Sequence, residues 1–184
     1  VPTNITFVNG QYYAKIKSRS NSFYTVIYNH KEFKDVEKHW AKSYVNEMAS
    51  KMIISGVSES IFEPDRNITR AEFATIITKA LGLRYEKIIN PFSDLEEEEW
   101  YYQTVQTAYR YGLIKGYEDG SFQPNRNITR EEAMVIFAKA MGKADLNIDI
   151  SEEYRTKELS KFQDNKAISN WATDAVNFNI LYGI

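Results

Sequence analysis

Two arginines occupy the same place in a phrase that occurs twice, Ile68-Thr69-Arg70-Ala71-Glu72 and Ile128-Thr129-Arg130-Glu131-Glu132. The threonine and glutamate read as a capping box. The threonine oxygen accepts from the backbone of the third helical residue, and the glutamate reaches back to the threonine amide. The arginine has no part in that cap, and a cation in the first helical turn opposes the helix dipole. Its recurrence points to an anion, because helix N-terminal amides and a forked guanidinium converge well on a carboxylate or phosphate. The competing reading pairs Arg70 and Arg130 with an aspartate of a neighbouring unit. Arg66 and Arg126, four residues earlier in each copy, are second cations close by.

Other residues with chemical potential recur on the same period. Phe33-Lys34-Asp35 returns as Phe92-Ser93-Asp94 and as Phe162-Gln163-Asp164, each followed by a tryptophan: Trp40, Trp100 and Trp171. An indole at a groove edge offers a sugar ring a flat apolar face while its N–H finds a polar partner. Asp35, Asp94 and Asp164 read as caps of the following helices or of the turns before them. Gly56 and Gly116 lie sixteen residues beyond the first two tryptophans. They read as turn glycines with positive φ, or as places where a ligand approaches the backbone.

The elements that must hold these residues follow from the repeat. Helical periodicity runs from Trp40 through Tyr44, Val45, Met48, Ala49, Met52 and Ile53, and again from Trp100 and from Trp171. A more apolar second helix follows each complete capping phrase. Residues 1–30 read instead as β, with an Asn9-Gly10 hairpin turn, a polar turn at 18–22 and a third strand at 23–28. The expected organisation is a β segment at 1–30, the tail of a preceding domain or a ribbon leaning on the first repeat. Repeat one spans 31–90, and repeat two with a charged linker spans 91–159. An incomplete third repeat at 160–184 lacks its second helix.

Composition excludes several classes. The net charge of -2 provides no basic field for nucleic acid. No apolar run approaches the length of a membrane span. Without cysteine there is neither a disulfide framework nor thiolate chemistry. Hydrolysis of a glycan needs two carboxylates facing each other across a cleft. The run Glu96 to Glu99 is adjacent in sequence and suits the start of a helix, and His30 and His39 do not recur. Asp119-Gly120-Ser121 looks like the start of a calcium loop, but its twelfth position is Arg130 where a bidentate glutamate is needed. No enzyme, cofactor or metal is expected.

The combination of Phe-x-Asp, Trp, Gly and Ile-Thr-Arg-Ala-Glu resembles the S-layer homology domain, a tandem unit of exported bacterial proteins, from Phe33 to Ile184. The resemblance implies a mainly α fold. It would be a pseudo-threefold spindle of helical repeats around a central three-helix bundle, preceded here by a short β ribbon. It also implies noncovalent anchoring to the cell wall, outside the cell, through a secondary cell wall polymer held in grooves between units. That polymer is typically a glycan ending in pyruvylated N-acetylmannosamine. The family's binding positions map onto Arg70, Arg130, Gly56, Gly116, the aspartates and the tryptophans. The alternative is a structural or assembly module making protein–protein contacts in a surface layer, with self-association through the incomplete third repeat.

Overall fold

The computed structural model describes residues 3–16, 23–144 and 157–184, and the turn expected at 18–22 and most of the expected linker at 143–159 lie outside them. Strands β1 (Thr3–Val8) and β2 (Gln11–Ile16) pair antiparallel, with Val8 opposite Gln11. Asn9 and Gly10 both take positive φ, 51° and 79°, as a two-residue hairpin turn requires. The ribbon is mostly exposed, and Phe7 and Tyr12 pack on each other at 4.7 Å between ring centroids. The third strand expected at 23–28 is not formed: that segment has no regular secondary structure, and Phe23, Val26 and Tyr28 are exposed. Alternation of aromatic and β-branched residues made it strand-like, but without a paired edge the pattern yields no ladder.

The rest is helical: α1 (Lys42–Ser50), α2 (Arg70–Ala80), α3 (Tyr102–Arg110), α4 (Arg130–Lys143) and α5 (Thr173–Leu181). The helices α1, α3 and α5 start two residues after Trp40, Trp100 and Trp171, so the indoles sit in the preceding turns and do not share the helical period. All three tryptophans are exposed, Trp40 by 82%. Tyr44 and Met52, expected in the α1 core face, are exposed as well. What α1 buries is Val45 and Ala49, in a small cluster with Phe33, Val36 and Ala41.

The larger core crosses the repeat boundary. Ala71, Phe73, Ala74 and Ile77 of α2 pack with Tyr102, Val105 and Ala108 of α3 and with Phe92, Leu113 and Phe122. A hydroxyl pair reinforces this contact, Thr75 Oγ1 to Thr104 Oγ1 at 2.6 Å. Likewise α4 packs on α5, and Asn179 donates to the Met134 carbonyl at 2.8 Å. The second helix of one unit therefore covers the first helix of the next.

The two capping phrases also meet directly. The N–H groups of Arg70 and Ala71 donate to the carbonyls of Arg126 and Pro124 at 2.9 and 3.0 Å, and Ile128 N–H donates to Ile68 at 3.0 Å. Both capping boxes form as the spacing predicts, with Thr69 accepting from Glu72 N–H and Thr129 from Glu132 N–H.

The steric demand on Gly56 and Gly116 is not the positive φ expected of turn glycines. Neither has positive φ. A Cβ on Gly116 would stand 2.6 Å from the Phe92 ring and 2.6 Å from the Ser121 carbonyl; one on Gly56 would collide with Phe33 and with the Ile61 and Ser58 carbonyls. Phe33 and Phe92 each pack against the glycine of their own unit, so a side chain at either glycine would collide with an aromatic ring of the protein itself. Gly116→Ala is expected to cost about 1–3 kcal/mol by overpacking. A chemical-denaturation midpoint unchanged from wild type would refute this.

Candidate functional site

Asp35 and Asp94 of the Phe-x-Asp phrases each serve a turn, not a helix cap. Asp94 accepts from the N–H groups of Phe122 at 2.7 Å and Gln123 at 2.8 Å. Asp35 does the same for Phe62 and Glu63, with bonds of 3.0 and 2.6 Å. Glu63 and Gln123 carry positive φ, 62° and 55°, unusual for residues with a side chain, and the carboxylate clamp holds them there. Desolvation pushes the Asp35 carboxyl up, but donation from Glu63 and Phe62 outweighs it and holds it below its ordinary value. Asp164, exposed before α5, has no such turn to clamp among the described residues.

The clamped turn of unit two delivers the residues that trap Arg70. Its Nε donates to the Phe122 carbonyl at 2.9 Å and its Nη1 to Glu132 Oε1 at 2.9 Å, while Nη2 faces the Lys115 carbonyl at 3.5 Å. The rings of Tyr117 and Phe122 each lie 4.8 Å from the guanidinium carbon. The side chain is only 5% exposed. Burial lowers its pKa below the ordinary value, with the Glu132 charge opposing the shift.

The sequence-based picture of an open helix terminus beside a free guanidinium is therefore corrected for α2. Its first two amides are consumed by carbonyls of unit two, and its arginine is ion-paired, though to a glutamate and not to the aspartate that was the competing reading. Glu132 is the hub of this cluster, for it also accepts from Tyr117 Oη at 2.7 Å, from Thr129 N–H at 2.9 Å and from Arg126. Burial raises its pKa, and the Thr129, Tyr117, Arg70 and Arg126 contacts together more than reverse that.

The second cations behave alike. Arg66 pairs with Glu72 at 2.7 Å and Glu63 at 3.2 Å, and Arg126 pairs with Glu132, so each closes on the capping glutamate of its own unit. Arg130 differs from Arg70: it is exposed and makes no ion pair among the described residues.

Beside the Arg70 cluster opens a cleft of about 290 Å³. This is near the lower end for small-molecule sites. Its wall combines three units: Arg70 from α2, the Lys115-Gly116-Tyr117 loop with Glu132 and Lys139 of unit two, and Trp171 ahead of α5. Of the expected residues it brings together Arg70, Gly116 and Trp171. Arg130, Gly56, Trp40, Trp100, Asp35, Asp94, Asp164, Arg66 and Arg126 do not line it. Sequence reasoning missed Lys115, Lys139 and Tyr117. Only Lys139 left a trace, recurring as Lys79 at the same place in the first apolar helix. Among the described residues no group of histidines and acidic residues could hold a metal ion, and no helix is long and apolar enough to cross a membrane.

A family model described as the S-layer homology domain matches residues 32–74 and 91–134. The chain is 33% identical over 158 residues to an amylopullulanase of Thermoanaerobacterium thermosulfurigenes, covering 84% of this chain and 8% of that protein. It is 30% identical over 145 residues to the surface-layer 125 kDa protein of Lysinibacillus sphaericus, covering 79% and 11%. A cellulosome-anchoring protein of Acetivibrio thermocellus is 32% identical over 120 residues, covering 62% and 27%. The chain thus spans a minor part of each of these relatives.

Proposed function

The chain belongs to the S-layer homology family through its units at 32–74 and 91–134, and from that membership we propose that it anchors a protein to the bacterial cell wall by holding a pyruvylated wall glycan in the cleft beside Arg70. A unit of this family is a binding and anchoring module of the cell surface. The observation that carries the glycan reading is the make-up of the cleft, where cationic side chains and one indole from three successive units converge. A pyruvate ketal on N-acetylmannosamine carries a carboxylate for the cations and a ring face for the indole. Trp171 is 59% exposed, so its face is available for stacking.

A pseudo-threefold spindle accompanies this reading. Its support is the repeated packing of α2 on α3 and α4 on α5. Asn46, Gln106 and Asn177, at matching places in α1, α3 and α5, also each keep a buried amide atom without a partner. Polar groups left so at equivalent positions fit a shared axial layer.

Titration calorimetry with a synthetic pyruvylated N-acetylmannosamine glycoside tests the function. Saturable binding at one site per chain is expected, because the cleft beside Arg70 draws on three units. Trp171→Ala should weaken it about tenfold, on the order of 1.4 kcal/mol. Absence of saturable binding by the folded chain would refute the proposal.

A further inference from the structure

We infer that the anionic group of the bound glycan is gripped by the ammonium groups of Lys115 and Lys139, and that Arg70 is a positioning residue for the cleft wall. The inference rests on the proposed glycan reading and assigns the charge recognition within it.

Three of the five guanidinium N–H groups are already directed at protein acceptors: Nε to the Phe122 carbonyl, one on Nη1 to Glu132 and one on Nη2 toward the Lys115 carbonyl, with two aromatic rings 4.8 Å from the guanidinium carbon. Its positive charge is matched by Glu132 at 2.9 Å. A ligand carboxylate arriving here would compete with Glu132 for that charge, and breaking a buried ion pair is strongly unfavourable. The contacts of Arg70 do something else: they tie α2 to the 115–122 loop and so fix the Lys115-Gly116-Tyr117 wall.

The two lysines stand in the opposite condition. Both line the cleft, Lys115 exposed and Lys139 half-buried, and among the described residues neither ammonium group makes a hydrogen bond or ion pair. The charged and titratable groups sharing that wall are Arg70, Glu132 and the Tyr117 phenol, and Glu132 is committed to Arg70, Arg126 and Tyr117. The lysines are therefore uncompensated. Burial, and then the Lys115 charge, push the Lys139 ammonium below its ordinary value. An anion between the two would relieve both effects. A carboxylate has two oxygens and can accept from both ammoniums at once. Lys79, the counterpart of Lys139 in α2, is exposed and does not line this cleft, whereas Lys139 is half-buried in its wall.

The test compares calorimetric affinities for the pyruvylated N-acetylmannosamine glycoside and for its neutral methyl ester. Wild type is expected to prefer the acid by tenfold or more. Lys139→Gln and Lys115→Gln should each lower acid affinity at least fivefold, leave ester affinity within twofold, and leave the melting temperature unchanged. Arg70→Gln should weaken acid and ester in parallel and lower the melting temperature; should it fail to fold, the lysine variants decide alone. Equal wild-type affinity for acid and ester, or full discrimination kept by both lysine variants, overturns this inference alone. No binding of either sugar by wild type overturns the glycan reading and the inference with it.

Discussion

Glu132→Ala is expected to lower the free energy of unfolding by about 3–5 kcal/mol, the range for leaving one member of a buried ion pair without its partner. Arg70, only 5% exposed, would lose its ion-pair partner. Tyr117 would lose the acceptor of its hydroxyl, Arg126 its ion pair and Thr129 N–H its capping acceptor. The control is Glu72→Ala, the same position of the capping box in unit one. Glu72 also closes its own cap, but its cation is the more exposed Arg66 and, among the described residues, none of another unit pairs with it. Its loss should cost only about 1–2 kcal/mol, close to that of a cap. Equal effects from the two variants in denaturant titrations would show that Glu132 acts as a cap and nothing more.

The same carboxylates set the acid sensitivity. Glu132 and Glu72 are both held below their ordinary value of 4.5, burial opposing the shift in each and hydrogen bonds and arginine charges prevailing. A depressed folded-state pKa means that the unfolded chain binds protons more readily. The contribution is therefore complete above the ordinary value and is lost as pH falls through the depressed one. Melting temperature should be flat from neutrality to about pH 5 and fall below it, with Glu132→Gln showing a shallower fall. An acid limb as steep as that of wild type in Glu132→Gln would assign the sensitivity elsewhere.

Asp94→Ala is the second large effect, about 3 kcal/mol. Hydrogen bonds to a charged acceptor contribute about 1.5–3 kcal/mol each, and this carboxylate accepts two from consecutive amides. Phe122, whose N–H would be orphaned, is 1% exposed, and its carbonyl is the acceptor for Arg70 Nε. Gln123 would also lose what holds it at positive φ. The damage should therefore reach the cleft, and glycan affinity should fall together with stability. Asp35→Ala removes the same clamp from unit one, where the carboxylate is exposed and, among the described residues, no arginine depends on the turn, so a smaller loss than at Asp94 is expected. A smaller effect at Asp94 than at Asp35 would contradict the coupling of this turn to Arg70.

The local devices were legible because each is written within a few residues. The Asn9-Gly10 turn, both capping boxes and the apolar stripe of α2 depend on backbone sterics and side chains close in sequence. The tryptophans misled for a local reason as well: an i, i+4 spacing counts the residue before a helix as readily as one inside it, so Trp40 was placed in the helical period where the structure has it exposed in the preceding turn. Gly56 and Gly116 were recognised as constrained, but the constraint comes from Phe33 and Phe92, more than twenty residues away.

Two arginines identical in motif and cap have different fates, Arg70 buried in an ion pair and Arg130 exposed. No pattern within the repeat distinguishes them. What separates them is that the turn of the next unit, clamped by Asp94, closes over α2 and supplies carbonyls, two aromatic rings and Glu132. The sequence by itself determined the repeating units, their caps and their turns, since those rest on short-range hydrogen bonds. Only the tertiary structure decided which unit's helix covers which, and hence that Lys115, Lys139 and Trp171 share one cleft. Long-range packing is a property of matched surfaces, and equal motifs placed against unequal neighbours acquire unequal chemistry.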